Sequence, residues 1–450
     1  MKKLSTAATF NVAFIFLLYI PTAMVCYLAL STRYMPINEL SYIRLGILLL
    51  LAPIILKYLL QLFIAPWYSA VEYVRSRKRP ADYHPSVSVL IPAWNEEVGI
   101  QATITSVLDT CYHDLEIIVI NDGSTDRTHD VMARFLAAFR KNKAKHDALI
   151  KYKSMPNGGK ARALNIALSL ARGDMVVTID ADSVMDRSAI KNMVKHFSDP
   201  RVAAVAGNVI IGNRARPIGL IQQFEYLYGF YFKRADSILN ALYIVGGAAA
   251  AYRREVIFNL GGFDESIITE DIELSTRLQD NGYHIRYAAD AIVYTEGPSD
   301  LDGLYRQRLR WKFGRLLTFY KYRHLFFSIN RKHNFYLCFL ILPLALFAEF
   351  LLFFEGLLLM AFYAYTFYTN DFMPLVFVIS LLTGVVCLQI FSDPKARYHR
   401  NLLFLAPNAW ILFYFMDFVE YRALIKSVRT LMTKQDLGWQ KWVRVGVFSR

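Results

Sequence analysis

Apolar and polar positions divide the chain into apolar ends and a mixed middle. Five long, mostly apolar runs lie at 10–31, 43–65, 335–368, 372–391 and 401–421. The first two are each long enough to cross a hydrocarbon core of about 30 Å as a helix. We expect 1–68 to form two transmembrane helices and 334–425 to form a C-terminal transmembrane region.

The first run has a second interpretation, a cleaved signal peptide. Lys2 and Lys3 precede it, and ALS at 29–31 resembles a weak cleavage site. Either interpretation returns the chain to the cytoplasm after 43–65. The basic cluster at 75–79 agrees, because positive residues favour the cytoplasmic side. The middle of the chain is therefore expected in the cytoplasm.

Between 84 and 300, short apolar runs alternate with amphipathic stretches. The apolar runs lie at 86–92, 115–122, 175–182 and 202–211, and the amphipathic stretches include 125–140 and 160–172. Near-continuous Val/Ile runs separated by helices are typical of a mostly parallel sheet buried on both faces. The pattern predicts a doubly wound α/β domain.

Polar motifs follow three of the predicted strands: PAWNEE at 92–97, NDGSTD at 121–126 and DAD at 180–182. Ligands of such sheets bind beyond the carboxyl ends of the strands. No GxGxxG follows the first strand and no GxxxxGK[ST] occurs, so neither a dinucleotide site nor a P-loop is indicated. NGGK at 157–160 is either a turn with a helix start, or a backbone and lysine aimed at phosphate.

The DAD motif places Asp180 and Asp182 one residue apart. Carboxylates this close raise each other's pKa unless a cation lies beside them. Mg²⁺ or Mn²⁺ suits the site, because these hard ions take carboxylate oxygens and keep substrate phosphates as further ligands. An Asp-x-Asp alone is common in turns, but its position after a buried strand favours a metal site.

A second acidic group, Glu270 and Asp271 after Thr269, begins a predicted helix. Thr followed by acids suits a helix cap, because the first turn has free N–H groups and a positive dipole end. Alternatively, Asp271 is a general base for an attacking hydroxyl group, provided that the fold brings it near the DAD motif.

QRLRW at 307–311 lies in 301–333, where we expect interfacial amphipathic helices. On a helix, Gln307, Arg310 and Trp311 share one face. Arginine suits a diphosphate and an indole suits a sugar ring. The alternative is that Arg and Trp lie at the level of lipid headgroups, and the two interpretations are compatible.

Composition excludes several classes of protein. With 55% hydrophobic residues and a mean hydropathy of +0.27, the chain is too apolar for an ordinary soluble protein. The net charge of +14 comes from basic residues beside apolar runs and in 306–333, where lipid headgroups explain them, so nucleic acid is not an expected partner. Four cysteines without a CxxC pair indicate neither a disulfide framework nor a zinc site.

The ordered motifs PAWNEE, NDGSTD, DAD, TED and QRLRW, inside a domain flanked by apolar runs, resemble the processive family 2 glycosyltransferases with a GT-A fold. That group includes cellulose, chitin, hyaluronan and poly-N-acetylglucosamine synthases. The resemblance covers about 84–320. TEDIELSTRL, QRLRW and the tail GWQKWVRVG at 438–446 are most similar to bacterial poly-β-1,6-N-acetylglucosamine synthases, which make biofilm exopolysaccharides.

The resemblance implies a multi-pass enzyme of the inner (cytoplasmic) membrane whose catalytic domain is cytoplasmic. It would add sugars from a UDP-sugar, UDP-GlcNAc in the nearest subgroup, to a growing polysaccharide by inversion, and pass the polymer across the membrane. The expected partners are the UDP-sugar, the growing polysaccharide and membrane lipid. The short basic tail at 426–450 has no room for a regulatory domain, so a small regulatory or export subunit would be separate.

The resemblance also implies residue roles. The uridine part would be held by Pro92, Ala93, Asn95, Glu96 and Asp122, with Asp180 at the nucleotide. Asp182, with Asp180, would bind Mg²⁺ or Mn²⁺, and the donor diphosphate would be held by Lys160, Gln307 and Arg310. Asp271 would be the catalytic base with Glu270 beside it. The acceptor would contact Trp311, Gly246 and Gly247, although a tight packing contact is the alternative for the two glycines.

Three hypotheses of function stay open: a processive polysaccharide synthase, a single-transfer enzyme acting on a lipid carrier, and a non-catalytic membrane scaffold. Topology also has alternatives, because 392–401 and the tail are both basic. Either Pro407 and Asn408 make 401–421 re-entrant, which we favour, or the positive-inside rule fails at the tail. Glu349 and Glu355 are expected to face a channel, with buried structural pairs as the alternative.

Overall fold

A computed structural model describes residues 6–33, 38–80, 83–141, 149–433, 437, 442 and 444–448. The N-terminal part consists of α1 (Thr6–Ser31), α2 (Asn38–Ile64) and α3 (Tyr68–Ser76), with a short 3₁₀ turn at Ala65–Trp67. Ala13–Ser31 and Arg44–Ser76 are long and apolar enough to cross a membrane. These helices agree with the predicted N-terminal spans.

One eight-stranded sheet forms the centre of the α/β domain. Its strands are β1 (Val87–Ala93), β2 (Leu115–Asp122), β3 (Leu149–Met155), β4 (Met175–Thr178), β5 (Ser183–Met185), β6 (Val202–Ile211), β7 (Ala250–Arg253) and β8 (His284–Thr295). Their order is β3-β2-β1-β4-β7-β6-β8-β5. Neighbours pair in parallel except at β4–β7, β7–β6 and β8–β5, so the sheet is mixed.

The strand register brings several chain segments to one edge. Val87 of β1 lies opposite Leu115 of β2 and Met175 of β4, so these three strands end on the same side. β7 runs antiparallel to β4, with Ala250 opposite Thr178. The loop before β7 therefore arrives at the edge where β1, β2 and β4 end.

Helices cover both faces of the sheet. They are α4 (Ile100–Leu108), α5 (Thr128–Lys141), α6 (Lys160–Leu170), α7 (Ala189–Val194), α8 (Pro217–Ile238), α9 (Arg254–Asn259) and α10 (Glu270–Asp280). The next helix, α11 (Leu301–Lys321), packs against α10 and against the last described helix of the chain. Alternate strand residues enter two separate cores: Val89 and Val177 one, Leu90 and Val176 the other. The buried Val/Ile runs arise because each face is covered, as the pattern predicted.

The C-terminal helices are α12 (Leu342–Thr369), α13 (Met373–Ser392), α14 (Ala396–His399) and α15 (Ala409–Met432). Short helical turns lie at Lys195–Ser198, Arg323–Leu325, Leu337–Ile341, Arg400–Phe404 and Ala406–Asn408. Leu337–Thr369 and Met373–Ser392 are candidate spans. Ala396–Phe404 and Ala406–Met432 meet at a bend of 59°, which suits a broken span or a re-entrant loop next to the break predicted at Pro407.

Glu349 on α12 differs from the expectation that it faces a channel. Its side chain is 6% exposed and lies 2.8 Å from Lys312 Nζ, and it also pairs with Arg315. Both cations belong to α11, so the carboxylate joins α12, which lies in a candidate span, to α11. The structural pair, which was the alternative, is the arrangement observed.

Candidate functional site

Two adjoining cavities lie at the sheet edge where β1, β2 and β4 end. The smaller one, called the edge pocket, has a volume of about 100 Å³ and lies against the ends of β1 and β2. The larger one, called the large cavity, has a volume of about 410 Å³ and is bounded by α8, α10 and α11. Residues that line both are Lys160, Asp180, Asp182, Arg310 and Trp442.

Asp122, at the end of β2, shapes one wall of the edge pocket. Its two carboxylate oxygens accept the backbone N–H groups of Gly158 and Gly159, each at 2.8 Å. Gly159 has a φ of +92°, a conformation that favours glycine. Asp122 thus fixes the loop that delivers Lys160, and its carboxylate oxygens are already hydrogen-bonded.

The residues after β1 divide into two groups. Pro92, Ala93 and Glu96 line the edge pocket as expected. Asn95 is not among the lining residues of either cavity. Its side-chain oxygen accepts the N–H of Thr125 at 2.7 Å, so Asn95 ties the loop after β1 to the loop after β2.

Lys160, at the start of α6, connects the two acidic motifs. Its Nζ lies 2.6 Å from Asp180 Oδ1 and 3.0 Å from Glu270 Oε1. Burial by itself lowers the pKa of Lys160, but nearby carboxylates, that of Asp180 first, outweigh it and raise that pKa. The lysine of the NGGK motif is therefore a fixed positive charge between DAD and TED.

The two carboxyl groups beside Lys160 are shifted in opposite directions. Burial works to raise the pKa of Asp180, but Lys160 overrides it and the pKa is lowered. Burial raises the pKa of Glu270, with Lys160 opposing and Asp271 adding to the effect. Asp180 is thus the carboxylate that is held in its ionised form.

Asp271, in the first turn of α10, faces the large cavity. Its Oδ2 accepts the N–H of Gly247 at 2.7 Å, and its Oδ1 accepts the N–H of Ile272 at 2.9 Å. Thr269 makes no side-chain cap to α10, and its hydroxyl has no hydrogen-bond partner among the described residues. The helix cap by the Thr269 side chain, which was one interpretation of this motif, is therefore absent among the described residues.

The glycine pair before β7 lines the large cavity, and its two members have different constraints. A Cβ added to Gly247 would lie 2.7 Å from Lys160 Nζ, so a side chain here would displace the lysine ammonium from its present position. Gly246 has a φ of +87° and open space around the corresponding position. A contact with the acceptor stays a prediction for both glycines, and the contact observed at Gly247 is with the Lys160 side chain.

The QRLRW residues lie on α11 and share a face, since Gln307, Arg310 and Trp311 all line the large cavity. Gln307 is buried, and its Oε1 has no hydrogen-bond partner among the described residues. Arg308 lies over the Trp311 ring at 4.3 Å from the centroid. Gln307 Oε1 is thus a buried acceptor that the described residues leave without a partner.

Asp182, the second aspartate of DAD, is paired with Arg444 from the C-terminal segment. Arg444 Nη1 lies 2.5 Å from Asp182 Oδ2, and Nη2 donates to Glu96 Oε1 at 2.8 Å. Within the described ranges, no group of three or more His, Cys, Asp or Glu side chains is arranged to hold a metal ion. Two cavity-facing carboxylates still fit a hard divalent ion that completes its shell with substrate oxygens, provided that Arg444 leaves Asp182.

Several lining residues were not identified from the sequence: Glu225, Lys233, Glu296, Trp442 and Arg444. Glu296 accepts the N–H groups of Val445 at 2.6 Å and Gly446 at 2.9 Å, which holds the C-terminal segment at the site. The sequence contained a signal for Glu296, because this residue follows the end of a strand, as the acidic motifs do. Arg444 lies in the quoted tail motif, but its spacing gave no sign of a contact with Asp182.

Comparison with known proteins identifies matching families. Residues 88–261 match the family described as glycosyl transferase family 2, and residues 175–387 match glycosyl transferase family group 2. Among solved structures, a mannosyltransferase from Pyrobaculum calidifontis in complex with GDP-Man and Mn²⁺ aligns with 86% of this chain and 99% of its own, with a TM-score of 0.52 and 21% identity. This likeness concerns the fold.

Two curated relatives are poly-beta-1,6-N-acetyl-D-glucosamine synthases. The protein of Staphylococcus aureus (strain COL) is 34% identical over 231 residues, and that of Staphylococcus epidermidis is 36% identical over 232 residues. In each case the match covers 51% of this chain and 54% of the relative. The chain therefore spans about half the length of the curated relatives it matches.

Proposed function

Because this chain belongs to glycosyltransferase family 2, we propose that it transfers sugars from UDP-N-acetylglucosamine to the end of a growing β-linked polysaccharide. The choice of donor and linkage type rests on the relatives, which are named poly-beta-1,6-N-acetyl-D-glucosamine synthases. Synthesis of another β-glycan, of the hyaluronan, chitin or cellulose type, is the nearest alternative product.

One observation carries the proposal: Lys160 joins Asp180 to Glu270 across the boundary of the two cavities. The carboxylates that suit a divalent ion at the donor diphosphate and Asp271, the carboxylate that suits a base, are thereby placed around one space. A transferase needs this arrangement, because donor and acceptor must react in one oriented pair.

The roles of the chain's own groups follow from this arrangement. Asp271 takes the proton of the attacking acceptor hydroxyl, and the N–H of Gly247 holds its carboxylate in position. The hydroxyl attacks the anomeric carbon from the side opposite UDP, so the configuration inverts. Lys160 and Arg310 supply positive charge for the departing diphosphate, Gln307 contacts the same diphosphate, and Trp311 contacts the acceptor sugar.

Mg²⁺ or Mn²⁺ is the proposed cofactor, with Asp182 and Asp180 as its protein ligands. A bound divalent ion would neutralise negative charge that develops on the leaving UDP. A protein of similar fold provides a precedent, since the Pyrobaculum calidifontis mannosyltransferase was solved with Mn²⁺. Arg444 must release Asp182 in this state, and the edge pocket must widen beyond its present volume of about 100 Å³.

The large cavity also supports processive synthesis with passage of the polymer across the membrane. Its lining includes Lys312 of α11 and Glu420 of α15, so it extends from Asp271 to the C-terminal helices. The candidate spans provide a membrane part for the exit path. We place the protein in the inner membrane as a multi-pass enzyme with a cytoplasmic α/β domain, in contact with lipid and with any separate export subunit.

The test is incubation of detergent-solubilised protein and Mn²⁺ or Mg²⁺ with individual radiolabelled UDP-sugars. We expect UDP release and a long product from UDP-N-acetylglucosamine, and degradation of that product by a β-1,6-specific hydrolase. The Asp271→Asn variant is the matched control for contaminating synthases. One sugar per lipid molecule would contradict processive synthesis, and no UDP release from any donor would contradict a catalytic role.

A further inference from the structure

Helix α8 presents one continuous face to the large cavity. The lining residues from this helix are Glu225, Tyr226, Gly229, Phe230 and Lys233. Their spacing of one, four, five and eight residues from the first places them on one side of a helix. A Cβ added to Gly229 would meet no atom within 4 Å, which shows that this face opens to space. No motif of the sequence analysis includes this wall.

Lys233 differs from the other lysines of the cavity. Lys160 pairs with Asp180 and Glu270, and Lys312 pairs with two carboxylates. Within the described residues, Lys233 has neither a hydrogen bond nor an ion pair, and its Nζ lies over the Phe230 ring at 4.1 Å from the centroid. The N–H donors of the Lys233 ammonium group are therefore open to a ligand or to solvent in the cavity.

The charged groups that act on Lys233 are Asp271 of α10 and Asp236 of α8, and Lys57 of α2 acts on Asp236. Asp236 is occupied by Gln61, whose Nε2 donates to it at 2.6 Å. The carboxylates of Asp271 and Asp236 near Lys233 argue against an anionic ligand at this lysine. An uncharged sugar, whose oxygens accept hydrogen bonds, is the ligand that suits Lys233.

We propose that Lys233 is a binding residue for the acceptor, and that its ammonium donates to an oxygen of the acceptor sugar beside Asp271. The inference rests on the proposed glycosyltransferase function and adds a residue outside the motifs. Hydroxyl and N-acetyl carbonyl oxygens are both suitable acceptors of this hydrogen bond. The contact orients the acceptor sugar while its reacting hydroxyl faces Asp271.

The environment of Lys233 makes its charge sensitive to alkaline pH. Burial lowers the pKa of Lys233 to about 8, with Asp271 and Asp236 acting in the opposite direction. The ammonium form is therefore present at pH 7 and is lost as the pH rises through 8. An arginine at this position stays charged over that range.

The experiment compares Lys233→Met and Lys233→Arg with the wild type in two assays. The first is the KM for an added β-1,6-linked N-acetylglucosamine oligosaccharide, and the second is the affinity for UDP with Mn²⁺. We expect Lys233→Met to raise the acceptor KM by about 10- to 100-fold, the effect of losing one hydrogen bond to a charged group, with UDP affinity unchanged. Lys233→Arg should recover most of the acceptor affinity.

Lys153→Met is the matched control, since Lys153 is an exposed lysine on β3 outside both cavities. The wild-type acceptor KM should rise between pH 7 and pH 9, and that of Lys233→Arg should not. An unchanged acceptor KM in Lys233→Met, or an equal loss of UDP affinity, would overturn the inference. Direct titration of the protein with the oligosaccharide tests the role of Lys233 even if the wild type makes no polymer. The absence of polymer would refute the proposed function and not the binding role of Lys233.

Discussion

The substitution Asp271→Asn separates catalysis from donor binding. The asparagine side-chain oxygen can still accept the N–H of Gly247, which lies 2.7 Å from the present carboxylate. Lys160 keeps its ion pairs with Asp180 at 2.6 Å and Glu270 at 3.0 Å. The variant therefore retains the site geometry and loses the proton-accepting group.

The size of the effect follows from the role of a general base. Such a group contributes about 10²- to 10⁴-fold to a rate, which is about 3–5 kcal/mol in the activation barrier. We expect turnover of Asp271→Asn to fall by that factor at saturating donor. UDP affinity should change less than about threefold, because the charge-assisted contacts at Lys160 remain.

The assay is the initial rate of polymer formation, together with calorimetric titration of the same preparation with UDP and Mn²⁺. Glu270→Gln is the contrasting variant, because it removes one ion pair of Lys160 and should alter donor affinity as well as rate. Near-normal turnover of Asp271→Asn would refute the reasoning and leave Asp271 as a residue of the helix start. Equal losses of turnover and UDP affinity would assign it to donor binding.

Three further predictions concern other parts of the site. Asp182→Asn should weaken Mn²⁺-dependent UDP binding about tenfold or more in a calorimetric titration, and unchanged affinity would contradict the metal role. Gly247→Ala should lower turnover, because its Cβ would lie 2.7 Å from Lys160 Nζ and displace the ammonium, whereas Gly229→Ala has open space and should retain most of the rate. Equal rates of the two variants would contradict the role of the close contact at Gly247. Lys312→Met should lower the free energy of unfolding in detergent by about 3 kcal/mol, because it removes the ion pair of Glu420 and one of the two ion pairs of Glu349, and an unchanged melting temperature would exclude that role.

The sequence predicts the α/β domain well because its signals are local. Runs of buried Val and Ile identify β1, β2, β4 and β6, and the amphipathic stretches correspond to α5 and α6. The fold of the mannosyltransferase confirms the fold class, and the matching families confirm the family implied by the motifs. The antiparallel strand β7 is too short to have a distinctive pattern, although it brings Gly247 to the site.

Contacts between distant segments were harder to predict. Arg444 pairs with Asp182 across more than 250 residues of chain, and neither hydrophobic periodicity nor local spacing reports such a contact. In the sequence, Glu349 is an acid in an apolar run with no basic residue near it in the chain. Its partners in the structure, Lys312 and Arg315, belong to another helix. Tertiary packing, which local patterns do not contain, decides these pairs.

The position of Lys233 at the cavity could not be predicted from local sequence patterns either. A lysine in an amphipathic helix resembles a solvated surface residue, and only the arrangement of α8 around the large cavity places it near Asp271. The resemblance implies that Asn95 lies at the nucleotide, and that role stays a prediction. In the described structure its side-chain oxygen accepts the N–H of Thr125 and joins the two loops beside the lining residues.

The most direct measurement is an experimental structure of the Asp271→Asn variant with Mn²⁺ and UDP-N-acetylglucosamine bound. We predict Mn²⁺ on Asp182 with Arg444 released, the uridine in the widened edge pocket, and the donor sugar between Lys160 and residue 271. A donor bound with its sugar away from residue 271, or bound outside the two cavities, would contradict the claim that both acidic motifs serve one reaction.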